Sequence, residues 1–287
     1  MAAVSVIIPT FNRAHKIASA VASVFYQTFT DYEILVVDDG SVDPTPEVLM
    51  QFRSRIEWIT HSKNLGVSAA RNTGIRRSRS PLIAFLDSDD YWLPDKLAAQ
   101  VSFFSEHPEA AAAQTEELWI RRGARVNPMK KHFKPSGDIF EPSLKLCVVS
   151  PSAVVVKRSL LEEVGLFDEE FPVCEDYDLW LRISWKYPIW LIPEPLVIKE
   201  GGAPDQLSRS VVGMDRYRIK AIARLIGSGC LSVRQTEAAL KVLNFKCRVY
   251  GNGCIKRGKI EEGEYYLNLP DSLAGSFPAP CLEKGFS

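Results

Sequence analysis

The amino-acid sequence predicts an α/β protein built on a mostly parallel, doubly wound sheet, with a helical region at its C-terminal end. Two observations favour this class. In the N-terminal half, short apolar runs rich in β-branched residues alternate with longer amphipathic stretches. From about residue 205 onward, the pattern becomes helical and basic. Strands that alternate with helices at this spacing are typical of parallel sheets covered by helices on both faces.

Each predicted strand of the N-terminal half is followed by a predicted helix. The strands are residues 4–8, 33–37, 56–60 and 82–86. The helices are residues 14–26, 45–53 and 67–77, and another that begins after Pro94, where proline suits the first turn. In this topology the carboxyl ends of neighbouring strands lie along one edge of the sheet, where ligands bind in open α/β proteins.

The pattern becomes less regular after about residue 110. We expect a strand over residues 111–120, an exposed loop over 121–143, a strand over 148–156 and a short helix over 158–164. Amphipathic helices are expected over 215–225, 234–249 and 255–266, followed by an irregular tail from residue 269. The chain is therefore expected to form a sheet-based domain over residues 1–205, divided near residue 110, and a helical region over 206–287.

Composition excludes several classes of function. Lysine plus arginine and aspartate plus glutamate number 35 each, so the net charge gives no indication of a nucleic-acid or anionic-membrane partner. No apolar run approaches the roughly 20 residues of a membrane span, and the N-terminus reads as a strand rather than a signal peptide. The six cysteines show no metal-ligand spacing. We expect a cytoplasmic protein, with peripheral contact at the inner face of a membrane left open.

Polar side chains follow each strand of the N-terminal half. Because the topology gathers these strand ends at one rim, the side chains are expected to meet around a ligand. The residues are Thr10 and Asn12, Asp38 and Asp39, Asn64 and Arg71, and Asp87 and Asp89. Four unrelated turns would not be expected to produce this convergence, which therefore predicts an active site.

The run from Asp87 to Asp90 places three carboxylates and Ser88 directly after a buried strand. Carboxylates this close repel one another unless a cation or hydrogen-bond donors lie among them. A hard divalent ion takes such oxygen ligands, commonly together with a substrate phosphate. The alternative is an acidic turn in which Asp90 or Asp95 caps the next helix.

Two further residues have chemistry suited to a nucleotide. Asp39 could accept a hydrogen bond from the imide N–H of a base. Arg71, on a helix that begins at the ligand edge, could pair with a nucleotide oxygen or with Asp39 itself. The alternatives are a simple Asp-Gly turn for Asp39 and a solvated helix face for Arg71.

A second acidic site begins a predicted helix at Glu175 or Asp176. On that helix Asp176 would share a face with Leu179, Trp180 and Ile183. Partial desolvation on this face would raise the proton affinity of Asp176 and suit it to general-base catalysis. The alternative is an acidic residue that stabilises the helix N-terminus.

Five motifs, in order, resemble the family 2 glycosyltransferases of GT-A fold. They are VSVIIPTFNR, VVDDGS, NLGVSAARNTG, FLDSDDYWLPDKL and EDYDLWLR, and they cover about residues 4–200. The resemblance implies a nucleotide-sugar half over about residues 1–110 and an acceptor half over 111–205. It also implies transfer of a sugar from a nucleotide donor, most often a UDP-sugar, with inversion at the anomeric carbon and with Mn²⁺ or Mg²⁺ as cofactor.

The resemblance assigns roles to residues of these motifs. Asp89, with Asp87, matches the DXD element that holds the metal, and Asp176 matches the catalytic base. Glu175 and Trp180 are candidates for the acceptor side, with Trp180 expected to stack on a sugar ring. The residues expected to bind the nucleotide-sugar are Pro9, Thr10, Asn12, Asp39, Asn64, Arg71, Asp87 and Ser88.

One departure concerns the QxxRW signature of processive members. Gln206 and Arg209 have the QxxR spacing, but Ser210 follows and no membrane span is evident. Single addition to a glycan, lipid-linked or other hydroxyl acceptor is therefore expected. Two alternatives remain: a non-catalytic nucleotide-sugar-binding homologue or scaffold, and a sugar nucleotidyltransferase. The loop after the first strand lacks the glycines that hold a triphosphate, which counts against the latter.

Overall fold

The computed structural model describes residues 1–121, 123–126, 133–201 and 213–274. Its strands are β1 (Val4–Thr10), β2 (Tyr32–Asp38), β3 (Glu57–Thr60), β4 (Leu82–Phe85), β5 (Asp90–Trp92), β6 (Ala112–Arg121), β7 (Ala124–Val126), β8 (Val154–Lys157) and β9 (Ile189–Gly201). Its helices are α1 (Ile17–Phe25), α2 (Thr45–Met50), α3 (Val67–Arg77), α4 (Lys96–Glu106), α5 (Phe140–Lys145), α6 (Arg158–Val164), α7 (Glu175–Ser184), α8 (Asp215–Gly227), α9 (Val233–Lys256) and α10 (Ile260–Ala274).

In the described part of the chain the strands form one sheet in the order β3-β2-β1-β4-β8-β6-β9-β5, with β7 paired to β6. β1 lies between β2 and β4 and is parallel to both, and β2 is parallel to β3. Alternate residues of β1 face opposite layers: Val6 packs in the core with α1, and Ile7 packs in the core with α3. Burial on both faces explains why β1 is apolar without alternation.

The α/β class is confirmed, but the sheet is mixed rather than mostly parallel. β8 is antiparallel to both β4 and β6, β5 is antiparallel to β9, and β6 runs parallel to β9. The parallel arrangement expected from the sequence therefore holds for the first four strands. The later strands do not alternate regularly with helices, so their direction could not be inferred in the same way.

Three strands were not predicted: β5, β7 and β9. β5 is three residues long and lies within the acidic segment after β4. β9 contains Pro193 and Pro195, which argue against a strand because proline cannot donate to the ladder. A register irregularity in its pairing with β6 lies between Ile192 and Pro195, so the prolines occupy an interrupted stretch of the ladder.

Two predictions in the middle of the chain were wrong. The expected exposed loop over 121–143 contains β7 and the start of α5, and Lys134 within it is 5% exposed. The expected strand over 148–156 is interrupted by a 3-10 turn at Pro151–Ala153, and only Val154–Lys157 pairs in the sheet. A proline inside an apolar run again explains the shorter strand.

The helical C-terminal region is confirmed and packs on the sheet-based part through α5 and α7. Tyr177 and Leu181 of α7 share one buried cluster with Ile222 of α8 and Leu243 of α9. The predicted boundary near residue 205, and Gln206 and Arg209, lie outside the described residues. No helix in the described part of the chain is long and apolar enough to span a membrane.

Candidate active site

A cleft of about 1330 Å³ opens at the carboxyl ends of β1, β2 and β4 and faces the N-terminus of α7. It brings together most of the residues that the sequence singled out, although they come from separate connections. The predicted residues that line it are Pro9, Thr10, Asn12, Asp39, Asn64, Arg71, Asp87, Ser88, Asp89, Glu175 and Asp176. The expectation that these loops converge on one rim is therefore met, while the role of each residue remains a prediction.

Asn12 organises the loop after β2. It has a positive φ of 53°, a conformation that asparagine tolerates better than most residues. Its side-chain Oδ1 accepts hydrogen bonds from the backbone amides of Val42 (2.9 Å) and Asp43 (3.3 Å). The Ser41 hydroxyl in turn accepts a hydrogen bond from the backbone N–H of Asn12 at 2.9 Å. Asn12 thus ties the loop after β1 to the loop after β2.

Asp39 is held by donors of the loop that precedes α3. Its Oδ1 lies 2.7 Å from His61 Nδ1 and accepts a bond from the Leu65 amide at 2.9 Å. Its Oδ2 accepts a bond from the Gly66 amide at 2.8 Å. An ionised carboxylate has about four acceptor positions, so Asp39 can still accept one further donor.

Arg71 bridges two parts of the site and does not pair with Asp39, which corrects one of the predicted pairings. Its Nη2 donates to Asp87 Oδ1 at 2.7 Å and its Nη1 to Glu175 Oε1 at 2.6 Å. Burial lowers the pKa of the guanidinium, but the charges of Asp87 and Glu175 outweigh it and raise the pKa above its usual value. The guanidinium is 5.0 Å from the Phe167 ring centroid and ties the loop after β4 to the start of α7.

The three carboxylates after β4 have different surroundings. Burial would raise the pKa of Asp87, but the Arg71 and Lys199 charges lower it below its usual value. Asp90 accepts bonds from Lys199 Nζ (2.7 Å) and Ser152 Oγ (2.6 Å), and burial raises its pKa to about 7 despite the Lys199 charge. Burial and the neighbouring charge of Asp87 raise the pKa of Asp89. Asp89 is therefore the carboxylate of this group that would gain most from an added cation.

The donor set fits a metal that shares its coordination with a substrate. Within the described residues, no group of three or more His, Cys, Asp or Glu side chains could hold a metal ion. Asp89 and Asp87 could supply carboxylate oxygens, and Mg²⁺-type ions are commonly held by one or two carboxylates plus substrate phosphates. An ion at this site would thus depend on the nucleotide for further ligands.

The N-terminus of α7 presents two carboxylates in different environments. Glu175 is 5% exposed, and burial together with repulsion from Asp176 raises its pKa to about 7 despite the contact with Arg71. Asp176 is half-buried at the cleft wall, so Glu175 is the more strongly desolvated of the two carboxylates. Asp176 Oδ1 accepts a bond from the Tyr177 amide at 2.7 Å, and Oδ2 lies 3.4 Å from Cys147 Sγ.

Trp180 does not line the cleft, and its prediction as a sugar-stacking residue is wrong. Its side chain is 1% exposed and packs edge-on against Phe167, with ring centroids 6.5 Å apart. Leu179 and Ile183 lie in the same buried cluster. The face of α7 that carries Trp180 points into the core, whereas Asp176 is at the helix end that reaches the cleft.

Several lining residues had no signal in the sequence. Trp119 lies on the strand that was predicted over residues 111–120, but nothing in the sequence indicated that this strand reaches the cleft. The other residues belong to segments whose structure was not predicted, such as β9 and the chain before the 3-10 turn, or to helices placed only by tertiary packing. The lining residues of this kind are Trp119, Lys134, Cys147, Lys199, Met214 and Arg218. Trp119 rather than Trp180 is the tryptophan in the cleft.

The fold is that of the GT-A class of glycosyltransferases. S. aureus TarS 1-349, solved in complex with UDP-GlcNAc, superposes with a TM-score of 0.68 at 16% identity, covering 95% of this chain and 91% of TarS. The mannosyltransferase PcManGT from Pyrobaculum calidifontis gives a TM-score of 0.62 at 17% identity, over 97% of this chain and 77% of that one.

The chain belongs to glycosyl transferase family 2, whose sequence profile matches residues 5–165. An uncharacterized glycosyltransferase of Rickettsia felis is 35% identical over 223 residues, which is 75% of this chain and 36% of that protein. WfgD of Escherichia coli, a UDP-Glc:alpha-D-GlcNAc-diphosphoundecaprenol beta-1,3-glucosyltransferase, is 35% identical over 181 residues, 63% of this chain and 69% of WfgD. The chain thus spans about a third of the length of the Rickettsia relative, and its predicted membership of family 2 is confirmed.

Proposed function

We propose that this protein transfers a sugar from a nucleotide-sugar, a UDP-sugar in the first instance, to an acceptor hydroxyl with inversion and with the help of a divalent metal. The observation that carries the proposal is the cleft itself. Carboxylates from the loops after β2 and β4 and from the start of α7 line one cavity, although they are far apart in the sequence. The name of WfgD, which specifies UDP-Glc as its donor, supports the choice of donor.

On the donor side, the loops after β1, β2 and β3 would bind the nucleotide. Asp39, fixed by three donors, would use its remaining acceptor position for the imide N–H of the base. Arg71 would act by holding Asp87 in place, since both of its Nη atoms are already bonded to carboxylates.

The metal would be held by Asp89, with Asp87 beside it, and by the donor diphosphate. A bound Mn²⁺ or Mg²⁺ ion would act as a Lewis acid on the departing diphosphate. Asp90 would not take part directly, because it is buried and its Oδ2 already accepts bonds from Lys199 and Ser152.

On the acceptor side, Asp176 would remove the proton from the attacking hydroxyl. It is the carboxylate of α7 that is partly open to the cleft, whereas Glu175 is buried against Arg71. The Tyr177 amide fixes Oδ1 of Asp176, which orients the carboxylate towards the cavity. We further propose single addition to a glycan or lipid-linked acceptor, and the name of WfgD, which specifies a lipid-linked acceptor, supports the second kind.

A donor screen tests the proposal. UDP-, GDP- and dTDP-sugars are incubated with the protein and Mn²⁺, and both donor hydrolysis and the shift in melting temperature are measured. We expect slow hydrolysis and a raised melting temperature with at least one UDP-sugar, both reduced by chelation of the metal. The absence of hydrolysis and of any shift with every donor would contradict the proposal.

A further inference from the structure

The two sides of the cleft differ in chemistry. The side formed by the loops after β2 and β4 carries Asp39, Asp87 and Asp89. The side around the start of α7 is lined by four partly accessible apolar side chains: Leu146, Val148, Pro172 and Met214. A ligand that occupies this second side can therefore place apolar surface against these four side chains.

Arg218 of α8 is a cation on this apolar side of the cleft. α8 packs against α7. Burial raises the pKa of Cys174 and of Tyr177, which flank the two acids of α7, and the positive charge of Arg218 opposes that rise. Its side chain is 21% exposed. The C-terminal helices thus contribute a charged residue to the same cleft as the proposed base.

The charge of Arg218 is only partly balanced. Its Nη1 donates to Asp215 at 3.0 Å, and Asp215 also lies 3.7 Å from Lys246 Nζ, so one carboxylate serves two cations. Among the described residues, Nη2 and Nε of Arg218 donate no hydrogen bond. Other cations of the cleft are more fully engaged: Arg71 with two carboxylates, and Lys199 with Asp90.

We propose that Arg218, with Leu146, Val148, Pro172 and Met214, forms an acceptor subsite that binds a sugar linked through a diphosphate to an apolar chain. This inference rests on the proposed function and specifies its acceptor. The guanidinium is a suitable ligand for phosphate oxygens, which it can bind through two N–H groups at once. The apolar wall would contact the first part of the chain, and the sugar hydroxyl would reach Asp176.

Binding to geranyl diphosphate tests the subsite without requiring turnover. Calorimetry is done with saturating UDP and Mn²⁺ present, so that the donor side is occupied. We expect the wild type to bind, and Arg218→Gln to bind at least about tenfold more weakly, as expected for loss of one charge-assisted hydrogen bond. Arg218→Lys, which keeps the charge, should recover part of the affinity. Arg224→Gln is the control, because Arg224 lies on the same helix but pairs with Asp168 and Glu170 outside the cleft.

Transfer assays separate an acceptor role from a structural one. With a prenyl-diphosphate-linked sugar, kcat/KM of Arg218→Gln should fall at least about tenfold, whereas a neutral alkyl glycoside of the same sugar and donor hydrolysis should change less than about twofold. Equal losses of kcat/KM with both acceptors would overturn the proposal. In the calorimetry, it would be overturned by equal affinity of wild type and Arg218→Gln for geranyl diphosphate, by no binding to the wild type, or by displacement of geranyl diphosphate by UDP. A wild type that binds geranyl diphosphate but hydrolyses no donor would contradict the proposed function and leave the subsite supported.

Discussion

At the residue scale, the feature that organises the site is the pairing of one buried cation with two carboxylates. Arg71 is 3% exposed and joins Asp87 of the donor side to Glu175 of the acceptor side. Removal of one member of a buried ion pair leaves an uncompensated charge, which costs far more than the pair contributes. The identity of residue 71 therefore bears on stability as well as on activity.

Arg71→Met should lower the free energy of unfolding by roughly 3–5 kcal/mol at pH 8. The loss should be smaller at pH 5. The pKa of Glu175 is already raised to about 7 in the folded protein, above the value of about 4.3 in the unfolded chain. Between these two pH values the folded protein binds more protons at Glu175 than the unfolded chain does. The free energy of unfolding therefore falls as the pH rises through that window. Without Arg71, the free-energy cost of burying ionised Glu175 grows, and it applies above pH about 7, where Glu175 is ionised.

Urea unfolding at pH 5 and pH 8 measures both effects. Arg76→Met is the matched control, since Arg76 is on the same helix with its side chain 62% exposed, and it should change stability by less than about 0.5 kcal/mol. A loss for Arg71→Met that is the same at both pH values would show that Glu175 is not the group left unpaired.

The sequence predicted the acidic residues of the site better than their partners. Asp39, Asp87 and Asp89 directly follow apolar runs, so their place at the sheet edge follows from topology. The partners of Arg71 could not be predicted, because Glu175 lies 104 positions away and meets it only through the packing of α7. Trp180 was placed incorrectly because a helical face that carries an acid at its end need not be exposed along its length.

At the element scale, the approach of α3 to β1 fixes the loop that carries Asn64 and the side chain of Arg71. The helix comes close enough at Gly74 that an added Cβ would lie 2.4 Å from Ile7 Cγ2. Both residues are buried, and Ile7 is in the central strand of the parallel part of the sheet. A side chain at residue 74 would have to push the helix away from the sheet.

Gly74→Ala should therefore destabilise the protein by about 1–3 kcal/mol through overpacking. Gly227→Ala is the control, because nothing lies within 4 Å of the added Cβ at the end of α8, and alanine there should be neutral or slightly stabilising. Thermal unfolding compares the two. Equal stability of both variants would show that α3 can move away from β1 without cost.

Elements with local signals were predicted well, and elements that depend on distant pairing were not. The bounds of α3 and α6 were predicted as the structure has them, because each is an amphipathic stretch between turn residues. β9 could not be predicted from its own sequence, since its prolines are tolerated only where the ladder with β6 is interrupted.

At the scale of the whole molecule, the C-terminal helices are continuous with the rest of the core. α8 and α9 share a buried cluster with α5 and α7, and α7 begins with the proposed base. The six tryptophans all lie before residue 200, and Trp185 among them packs against the shared cluster, so their fluorescence reports mainly on the sheet-based part. A shared core predicts that both parts unfold together.

Ile222→Ala, at a fully buried position of α8, should cost about 2–5 kcal/mol. Tryptophan fluorescence and far-ultraviolet circular dichroism should shift together to lower denaturant concentration. Val233→Ala, at a position 63% exposed, should shift neither measurably. A shift in the dichroism alone would show that the helical region unfolds independently.

The central claim is that a proton-accepting carboxylate faces a separately built donor site, and Asp176→Asn tests it most directly. Transfer activity and UDP affinity in the presence of Mn²⁺ are measured on the same preparation. The account predicts that kcat falls by about 10²–10⁴-fold, the usual contribution of a general base, while the Kd for UDP stays within about twofold of the wild type. A fall in kcat of less than tenfold, or a parallel loss of UDP binding, would contradict the claim.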